Sequence, residues 1–307
     1  MKYAVITGAT SFIGISLIKT LLNKDYYIYA IIRPNSFRKN ILKNFKNVKI
    51  IESNLNELDK IKNIDNYCEA FYHIAWSSDF DNPRYNLVGQ LQNVDYLLKA
   101  IDLANVLKCK AFVGVGSQAE CGLVNGCITA NTKSSPQTAY AIAKVISYYK
   151  GLEKCNKYGI KFCWPRLLSA YGPYDREHTL IMQLIKCGIK DEILELTDGT
   201  QIWDYIYVDD VAEALYLIAK NGVHGKKYPL GSGIGRSLRS FIYEIAETLE
   251  NKNIIEGIGK KPYQDGQVMN LVADSSELLK DTGFKCRVSF TDGIKATIEY
   301  IKQKNCE

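Results

Sequence analysis

The residues Thr7-Gly8-Ala9-Thr10-Ser11-Phe12-Ile13-Gly14 follow a short β-rich run and precede a helical pattern with apolar residues on one face. Glycines at such a turn let backbone amides approach a pyrophosphate, and the helix N-terminus directs its positive end toward it. Ser11 stands where a dinucleotide-binding turn usually has its middle glycine, and its small side chain still permits a close approach. A purely structural turn is the alternative. Between a first strand and a first helix, the stretch predicts a dinucleotide site formed by Gly8, Thr10, Ser11, Phe12, Ile13 and Gly14.

The segments after this turn alternate between strands and helices. Residues 26–32 are almost all apolar, as is typical of a strand buried on both faces. The predicted strands are 2–7, 26–32, 48–52, 70–74, 111–115 and 160–164, and the longest predicted helices are 87–106 and 138–157. This alternation predicts an α/β fold with a doubly wound parallel Rossmann sheet.

After Pro173 the alternation becomes less regular. Helices are predicted at 180–189, 210–220, 238–250 and 293–302, with short pieces at 192–196 and 203–208. We therefore predict a dinucleotide-binding Rossmann domain at 1–173. Residues 174–307 are expected to form mainly a smaller mixed α/β substrate-binding lobe, with some segments that return to the large domain.

The composition is that of a globular chain with a sizeable core. Of the 307 residues, 47% are hydrophobic and 23% are charged, and the net charge of +6 is spread along the chain. No nucleic-acid-binding module is recognisable, no apolar run could span a bilayer, and no basic-apolar leader precedes the first strand. The nine cysteines include no C-x-x-C pair, which favours reduced thiols. We expect a cytoplasmic protein without a nucleic-acid partner, a membrane partner or a metal site.

The end of the second strand carries cations instead of an acidic residue. NAD-binding sites usually place Asp or Glu about 20 residues after the glycines, where it holds the ribose hydroxyls. Here Arg33 takes that place, and Ser36, Arg38 and Lys39 follow. A guanidinium can grip a 2′-phosphate through two donors. The sequence therefore favours NADP(H) over NAD(H), with Arg33, Ser36 and Arg38 as contacts, and a solvated surface arginine is the alternative.

Tyr140 and Lys144 lie four residues apart in the predicted helix 138–157, one turn from each other on one face. A fixed cation beside a phenol favours the phenolate and lowers the phenol's pKa from about 10. A change of about 3 pKa units corresponds to roughly 4 kcal/mol of differential interaction. The pair is a candidate general acid and base, and a tyrosine packed on a lysine stem is the alternative.

Ser117 follows the fifth predicted strand, within the segment Gly114-Val115-Gly116-Ser117-Gln118-Ala119-Glu120. A serine at the C-terminal edge of a parallel sheet faces the ligand crevice. Its hydroxyl can donate to a substrate oxygen while Tyr140 moves the proton. An ordinary turn serine is the alternative when Ser117 is taken by itself.

Taken in order, these features resemble the extended short-chain dehydrogenase/reductase superfamily, the NAD(P)-dependent nucleotide-sugar epimerases, dehydratases and reductases. TGATSFIG at 7–14 is similar to the family's TGxxGxxG, and YAIAK at 140–144 matches its YxxxK. HIAW at 73–76 resembles its H-L-A-x loop. PRLLSAYGP at 165–173 resembles its R-x-x-N-x-Y-G-P segment, and DYIYVDDV at 204–211 is similar to its D-F-I-Y-V-D-D-V segment. The resemblance covers nearly the whole chain.

The resemblance implies roles for individual residues. Tyr140 would be the acid and base, Lys144 would lower its pKa and hold the nicotinamide ribose near Ala75, and Ser117 would orient the reacting oxygen. The reaction would begin with, or consist of, hydride transfer at a sugar carbon that carries a hydroxyl or a ketone. The smaller lobe would hold a nucleoside diphosphate. The helices 87–106 and 138–157 match those that commonly form a four-helix dimer interface in the family, so a homodimer is expected.

Departures from the family pattern reduce the number of reactions that the chain could catalyse. The family's 4,6-dehydratases have an Asp-Glu pair directly after the hydroxyl residue, whereas this chain has Gln118-Ala119, which argues against dehydration. Members that resemble GDP-fucose synthase pair a cysteine two positions after the serine with a histidine after the Y-G-P segment. Ala119 replaces that cysteine, so the two-step ring epimerisation is doubtful. His178 stands at the matching offset of the histidine, as a substrate contact or a surface residue.

A further departure concerns the substrate diphosphate. Trp203 stands where many members have an arginine that binds it, and Trp203 would either stack on a base or sugar or pack in the core. The cations left for a diphosphate are Arg236, Lys261 and Arg166. The full set of substrate-contact candidates is Ser117, Gln118, Ser169, His178 and Trp203.

The sequence favours one activity among three. An NADPH-dependent reductase of a nucleotide-linked 4-keto-6-deoxyhexose is favoured because Arg33 points to NADP(H) and net reduction draws on NADPH. GSQAECG at 116–122 and QIWDYIYVDD at 201–210 are also similar to the dTDP-4-dehydro-6-deoxyglucose reductase branch. The alternatives are an NAD-dependent nucleotide-sugar 4-epimerase and a cofactor-binding subunit without turnover.

Overall fold

The apolar runs predicted as strands form one parallel sheet in the computed structural model, which describes residues 2–62, 64 and 67–304. In chain order the strands are β1 (Lys2–Thr7), β2 (Tyr26–Ile32), β3 (Val48–Glu52), β4 (Ala70–His73), β5 (Ala111–Gly114), β6 (Gly116–Ser117), β7 (Cys127–Ile128), β8 (Lys161–Leu167), β9 (Ser169–Tyr171), β10 (Ile202–Trp203), β11 (Tyr205–Tyr207), β12 (Lys227–Leu230), β13 (Arg236–Ser237) and β14 (Asn270–Ala273). The helices are α1 (Phe12–Leu22), α2 (Lys39–Lys43), α3 (Leu87–Val106), α4 (Ala139–Tyr158), α5 (Leu180–Lys190), α6 (Val208–Asn221), α7 (Leu238–Thr248), α8 (Ser276–Thr282) and α9 (Phe290–Lys304), with short 3-10 helices at Leu55–Lys60, Gln118–Cys121 and Lys252–Gly257.

The large sheet has the strand order β12-β8-β5-β4-β1-β2-β3, and neighbouring strands along it are parallel. The short strand β6 also pairs with β8 in the parallel sense. The strand order reverses between β1 and β4, and in such sheets a ligand crevice opens at the carboxyl ends of the strands on either side of the reversal. The α/β fold class predicted from the sequence is confirmed.

Side chains of the central strands alternate between two apolar layers. Ala4 and Ile6 of β1 belong to a core that includes residues of α1 and α6. Val5, on the opposite face of β1, belongs to a core that includes residues of α3 and α4. Both faces of the sheet are therefore covered, which explains why β2 is apolar along its whole length.

Segments after residue 173 contribute to both parts of the molecule. Helix α6 packs against α1, and β12 extends the large sheet beside β8. A smaller sheet has the order β13-β10-β14-β7, and β9 pairs with β11. The fully buried Asp204 accepts the backbone N–H of Ser232, Gly233 and Ala273 and so holds the glycine-rich turn after β12 against β14. The division of the chain at residue 173 stays a prediction.

The structure differs from the predicted elements mainly in the second part of the chain. The piece predicted at 192–196 forms neither a helix nor a strand. The strands β12 and β14 were not predicted. Pro229 in β12 argues against a strand, and each strand is stabilised by its pairing with distant strands, β12 with β8 and β14 with β10 and β7. Helix α9 begins at Phe290 instead of residue 293.

Candidate active site

The carboxyl ends of β1, β4 and β5 meet at one edge of the large sheet, since these strands are parallel neighbours. The glycine turn follows β1, the HIAW segment continues from β4, and Ser117 comes shortly after β5. Helix α4, which starts one residue before Tyr140, lies against this edge and packs against α3. The fold thus brings together motifs that are separated by more than 130 residues in the sequence.

Tyr140 and Ser117 form the centre of this site. Burial raises the pKa of Tyr140, and the neighbouring Ser117 hydroxyl acts in the lowering direction. The pKa of Tyr140 is therefore raised in this structure, whereas the spacing of Tyr140 and Lys144 predicts a lowered one. Burial outweighs the predicted effect because a phenolate loses more hydration than the neutral phenol when it is buried.

Lys144 lies one helical turn after Tyr140 and is buried. Its Nζ donates to the carbonyl oxygen of Val115 over 2.7 Å and lies 5.8 Å from the centre of the Tyr140 ring. Burial lowers the pKa of Lys144 to about 7, and the negative charge of Glu120 acts in the opposite direction. Lys144 is thus a buried ammonium group beside the phenol, poised to lose its proton near neutral pH.

Trp76 packs against both members of this pair, which the sequence reading did not predict. The Lys144 Nζ lies 3.5 Å from the centre of the Trp76 ring, and the ring meets Tyr140 edge-on at 5.9 Å. The indole N–H donates to Gln90 Oε1 over 2.8 Å, and the Gln90 amide donates to the carbonyl oxygen of Pro83. Trp76 is therefore held in place as a cation–π partner of Lys144.

The glycine turn has the tight geometry that a dinucleotide-binding loop needs. Gly8 has a positive φ of 72°, and a Cβ atom there would lie 2.8 Å from the backbone nitrogen of Ala75. A Cβ atom on Gly14 would lie 2.4 Å from the carbonyl oxygen of Gly8. The Ser11 hydroxyl accepts the Gly14 N–H over 3.0 Å and caps α1. The first-turn N–H groups of Phe12 and Ile13 have no acceptor within the helix, so the turn fits a pyrophosphate.

The predicted 2′-phosphate contacts lie at the end of β2. Arg33 is mostly exposed and forms an ion pair of 3.0 Å with Asp79, which follows β4. The Ser36 hydroxyl donates to Thr10 Oγ1 over 3.0 Å and so joins this segment to the glycine turn. The Arg38 guanidinium packs over the ring of Tyr174. Thr10 and Ser36 are thus brought together, while Arg33 is paired with a carboxylate.

The predicted substrate contacts are only partly brought together. The Trp203 indole N–H donates to Ser169 Oγ over 2.8 Å, close to the point where Ser169 of β9 pairs with Tyr205 of β11. Gln118 directly follows Ser117 and is half-buried. His178 is exposed, on the segment before α5.

The cations proposed for a diphosphate differ in their availability. Arg166 is fully buried and forms an ion pair with Glu120, so it is not available to bind a diphosphate, contrary to the prediction. Arg236 pairs with Glu244 over 2.7 Å. Lys261 lines a cavity of about 450 Å³ together with Leu196, Gln201 and other residues of the second part of the chain.

Glu120 is a further residue of this site that sequence reasoning missed. It is fully buried, accepts the Ser117 backbone N–H over 2.9 Å, and contacts Trp164 and Arg166. The signal was an acidic residue in the short segment directly after a buried strand. In the described part of the chain, no cluster of His, Cys, Asp or Glu side chains could hold a metal ion, and no helix is long and apolar enough to cross a membrane.

Comparison with known proteins places this chain in a family. The sequence model of the NAD dependent epimerase/dehydratase family matches residues 4–231. The chain belongs to this family. Its members are enzymes, so the Ser117, Tyr140 and Lys144 cluster is the candidate catalytic centre of an enzyme.

Relatives of this epimerase/dehydratase family align along almost the whole chain. The CDP-abequose synthase of Salmonella typhimurium is 27% identical over 97% of this chain and 98% of its own length. A UDP-N-acetylglucosamine 4-epimerase from Methanobrevibacter ruminantium, solved with UDP-N-acetylmuramic acid, has a TM-score of 0.87 at 22% identity over 99% of both chains. The dTDP-glucose 4,6-dehydratase DesIV from Streptomyces venezuelae, solved with NAD and TYD, has a TM-score of 0.85 at 19% identity over 99% of this chain and 98% of its own. The two structures establish the shared fold.

Proposed function

We propose that the protein is an NADPH-dependent reductase of a nucleotide-linked 4-keto-6-deoxyhexose, with Tyr140 as the proton donor. The observation that carries this proposal is that Ser117 and the Tyr140–Lys144 pair meet at the edge of the sheet where the glycine turn also lies. Because burial raises the pKa of Tyr140, its phenol is protonated at neutral pH. A protonated phenol is the form that a ketone reduction requires.

Each residue of the centre has a task in this reaction. Ser117 would donate a hydrogen bond to the keto oxygen and hold it near Tyr140, and Tyr140 would donate its proton to that oxygen as it becomes a hydroxyl. Lys144 would contact the nicotinamide ribose, and the turn Gly8–Gly14 would hold the pyrophosphate. The bound nicotinamide would supply the hydride.

The residues after Ser117 support reduction over dehydration. Dehydration needs one group that protonates a leaving hydroxyl and another that removes a carbon-bound proton. Gln118 and Ala119, which hold the corresponding positions, have no group that can exchange a proton near neutral pH. Glu120 cannot replace them, since it is fully buried and its carboxylate is occupied by Ser117, Trp164 and Arg166.

The substrate class is supported by the full-length relatives and by the second part of the chain. CDP-abequose synthases are named for a CDP-linked sugar, and two of them align with 96–97% of this chain. We propose that residues 174–307 hold the nucleoside diphosphate, with the cavity beside Lys261 toward the nucleotide. Trp203 would lie toward the sugar together with Ser169, its hydrogen-bond partner from β9.

The cofactor preference rests on Arg33. A guanidinium at the end of β2 suits a 2′-phosphate, which favours NADP(H). Its ion pair with Asp79 is the specific observation that favours the alternative, because a carboxylate suits ribose hydroxyls and repels a phosphate. The alternative function is an NAD-dependent nucleotide-sugar 4-epimerase.

One experiment separates these possibilities. The purified protein is mixed with NADPH or NADH and with CDP- and dTDP-linked 4-keto-6-deoxyhexoses, and the loss of absorbance at 340 nm is recorded. The proposal expects oxidation of NADPH that depends on the sugar and exceeds that of NADH. Tightly retained NAD together with interconversion of 4-epimers would instead establish the epimerase. NADPH binding without turnover of any such sugar would contradict both enzymatic proposals.

A further inference from the structure

The carboxylate of Glu120 is hydrogen-bonded to the backbone of Ser117, the candidate catalytic serine. Glu120 belongs to the 3-10 helix Gln118–Cys121, and it is fully buried. Its Oε1 accepts the backbone N–H of Ser117 and the indole N–H of Trp164, both over 2.9 Å. Its Oε2 accepts Nε of Arg166 over 3.0 Å. The carboxylate is thus bound from its own turn and from strand β8.

Arg166 fixes this arrangement from the opposite side. Its two remaining nitrogens donate to the carbonyl oxygen of Thr132 and to Ser134 Oγ, both over 2.8 Å. Gly116 leaves the space that the carboxylate fills, since a Cβ atom there would lie 2.6 Å from Glu120 Oε1. The sequence around Ser117 therefore makes room for a buried ion pair, which retains a stable geometry only when it is fully hydrogen-bonded.

The same contacts orient the Ser117 hydroxyl. Ser117 and Glu120 form a capping box, in which Ser117 Oγ accepts the Ala119 N–H over 3.2 Å while Glu120 accepts the Ser117 N–H. Because the Ser117 oxygen already accepts one hydrogen bond from the backbone, its own hydrogen is left to point toward Tyr140 or a substrate oxygen.

We propose that Glu120 is a positioning residue, which orients the Ser117 hydroxyl through the capping box and places a buried negative charge beside Tyr140 and Lys144. This inference rests on the proposed function for its kinetic consequences only. The charge of Glu120 raises the pKa of Tyr140 and that of Lys144. It thereby helps to keep the phenol protonated and the ammonium charged.

Several other groups contribute charge to this region. The titratable and charged groups that face Glu120 are Arg166 from β8, Tyr140, Lys144 and Tyr148 from α4, Lys227 from β12 and Cys121 from its own turn. Arg84 and Arg176 also act on Tyr140, in the lowering direction. Removing the Glu120 charge removes a group that raises the pKa of both Tyr140 and Lys144, so both should lose their protons at lower pH.

The substitution Glu120→Gln separates charge from geometry, because an amide oxygen can still accept the Ser117 N–H. Lys144 is titrated by NMR of lysines labelled at Cε, and its signal is assigned with Lys144→Arg. We expect a midpoint at about 7 in the native protein and a midpoint lower by roughly one pH unit in Glu120→Gln. This measurement needs no substrate, so it tests Glu120 even if the proposed reaction is wrong. An unchanged midpoint would overturn the proposal.

A second, kinetic experiment measures the pH dependence of kcat/KM for the native enzyme and the Glu120 variants. In Glu120→Gln the alkaline decline of kcat/KM should move to lower pH, in the same direction as the Lys144 midpoint. If the unpaired Arg166 prevents folding, Glu120→Gln is combined with Arg166→Met, and a smaller displacement in the same direction is expected, because a neighbouring cation is removed as well. Glu120→Ala with Arg166→Met also removes the acceptor of the Ser117 N–H, so kcat should fall by about tenfold or more.

The matched control is Glu213→Gln, which removes a partly buried carboxylate paired with Lys24 on the α1–α6 layer. It should leave both the Lys144 midpoint and the pH profile unchanged. If the Glu120 variants lose stability or rate at every pH with no displacement of the alkaline decline, Glu120 is a structural residue and the proposal fails.

Discussion

Tyr140 lies at the start of α4, next to Ser117 and edge-on to Trp76. A phenol whose pKa is raised by burial gives up its proton only to a strongly basic oxygen, such as the one that develops when a ketone accepts a hydride. Lys144 has a pKa of about 7, so its charge is present below neutral pH and is lost as the pH rises. At the scale of single residues, the centre is therefore suited to proton donation.

The first prediction concerns the proton donor itself. Tyr140→Phe should lower sugar-dependent NADPH oxidation by about 10²- to 10⁴-fold, the usual contribution of a general acid. NADPH affinity, measured by fluorescence titration, should change little because the phenol oxygen serves the reaction more than the binding. The matched control is Tyr158→Phe, which removes a hydroxyl from the same helix that contacts Asp102 at the surface. Native rates in Tyr140→Phe would exclude Tyr140 as the donor.

The second prediction concerns the cofactor's 2′-phosphate. Arg33→Ala should weaken NADPH binding by about tenfold or more, as expected for a lost charge-assisted hydrogen bond, and should affect NADH much less. Asp79→Ala should have the opposite effect on NADPH, since it frees Arg33 from its ion pair and removes a nearby negative charge. Dissociation constants of both cofactors for both variants provide the measurement. Equal weakening of NADPH and NADH in Arg33→Ala would remove the argument for NADP(H).

At the scale of elements, the β1–α1 turn is fixed by close backbone contacts. Gly8 approaches the backbone of Ala75 after β4, and Gly14 approaches the carbonyl oxygen of Gly8. Ser11 replaces the usual middle glycine, and its hydroxyl has a use of its own because it caps α1 through the Gly14 N–H. The departure from the usual glycine pattern is therefore compatible with the geometry of the turn.

The third prediction tests this turn. Gly14→Ala should abolish tight binding of either cofactor, because the added Cβ atom would lie 2.4 Å from the Gly8 carbonyl oxygen and the turn would have to open. Ser11→Gly should retain cofactor binding and lose only a few tenths of a kcal/mol of stability, as is usual when glycine replaces serine at a helix N-cap. Calorimetric titration with NADPH and thermal unfolding measure the two effects. Retained affinity in Gly14→Ala would show that the turn does not bind the dinucleotide.

At the scale of the whole molecule, the packed helices α3 and α4 carry apolar side chains that face solvent. Val88 is 75% exposed and Leu91 41% on α3, and Ile142 is 37% and Tyr149 55% exposed on α4. Exposed apolar side chains grouped on two neighbouring helices are typical of a surface that binds another protein. These are the helices for which the sequence predicts a dimer interface, and a homodimer through them remains our proposal.

The fourth prediction tests the homodimer. The native protein should sediment as a dimer, and Val88→Glu should shift it to a monomer because a charge would be buried in the interface. Val106→Glu is the matched control, since Val106 is 62% exposed at the far end of the same helix. Sedimentation velocity over a range of concentrations measures the association. A monomeric native protein, or a dimer unaffected by Val88→Glu, would contradict the proposed interface.

The sequence by itself determined the sheet and the candidates for the reactive groups. Strands such as β1 and β2, the glycine turn, and the Tyr140–Lys144 spacing are local patterns, and local periodicity and turn chemistry set secondary structure directly. From them followed the doubly wound fold and the candidates Ser117, Tyr140 and Lys144. Short strands such as β12 were missed, because pairing with β8 and not local pattern stabilises them.

Only the tertiary structure decided what surrounds those groups. The contact of Trp203 with Ser169, the burial of Arg166 against Glu120 and the packing of Trp76 on Lys144 each join residues that lie more than 30 positions apart. The direction in which the pKa of Tyr140 is shifted also depends on such contacts, because burial and charge act through space. A spacing of four residues can place a lysine near a tyrosine, but the folded chain determines how much water both of them lose.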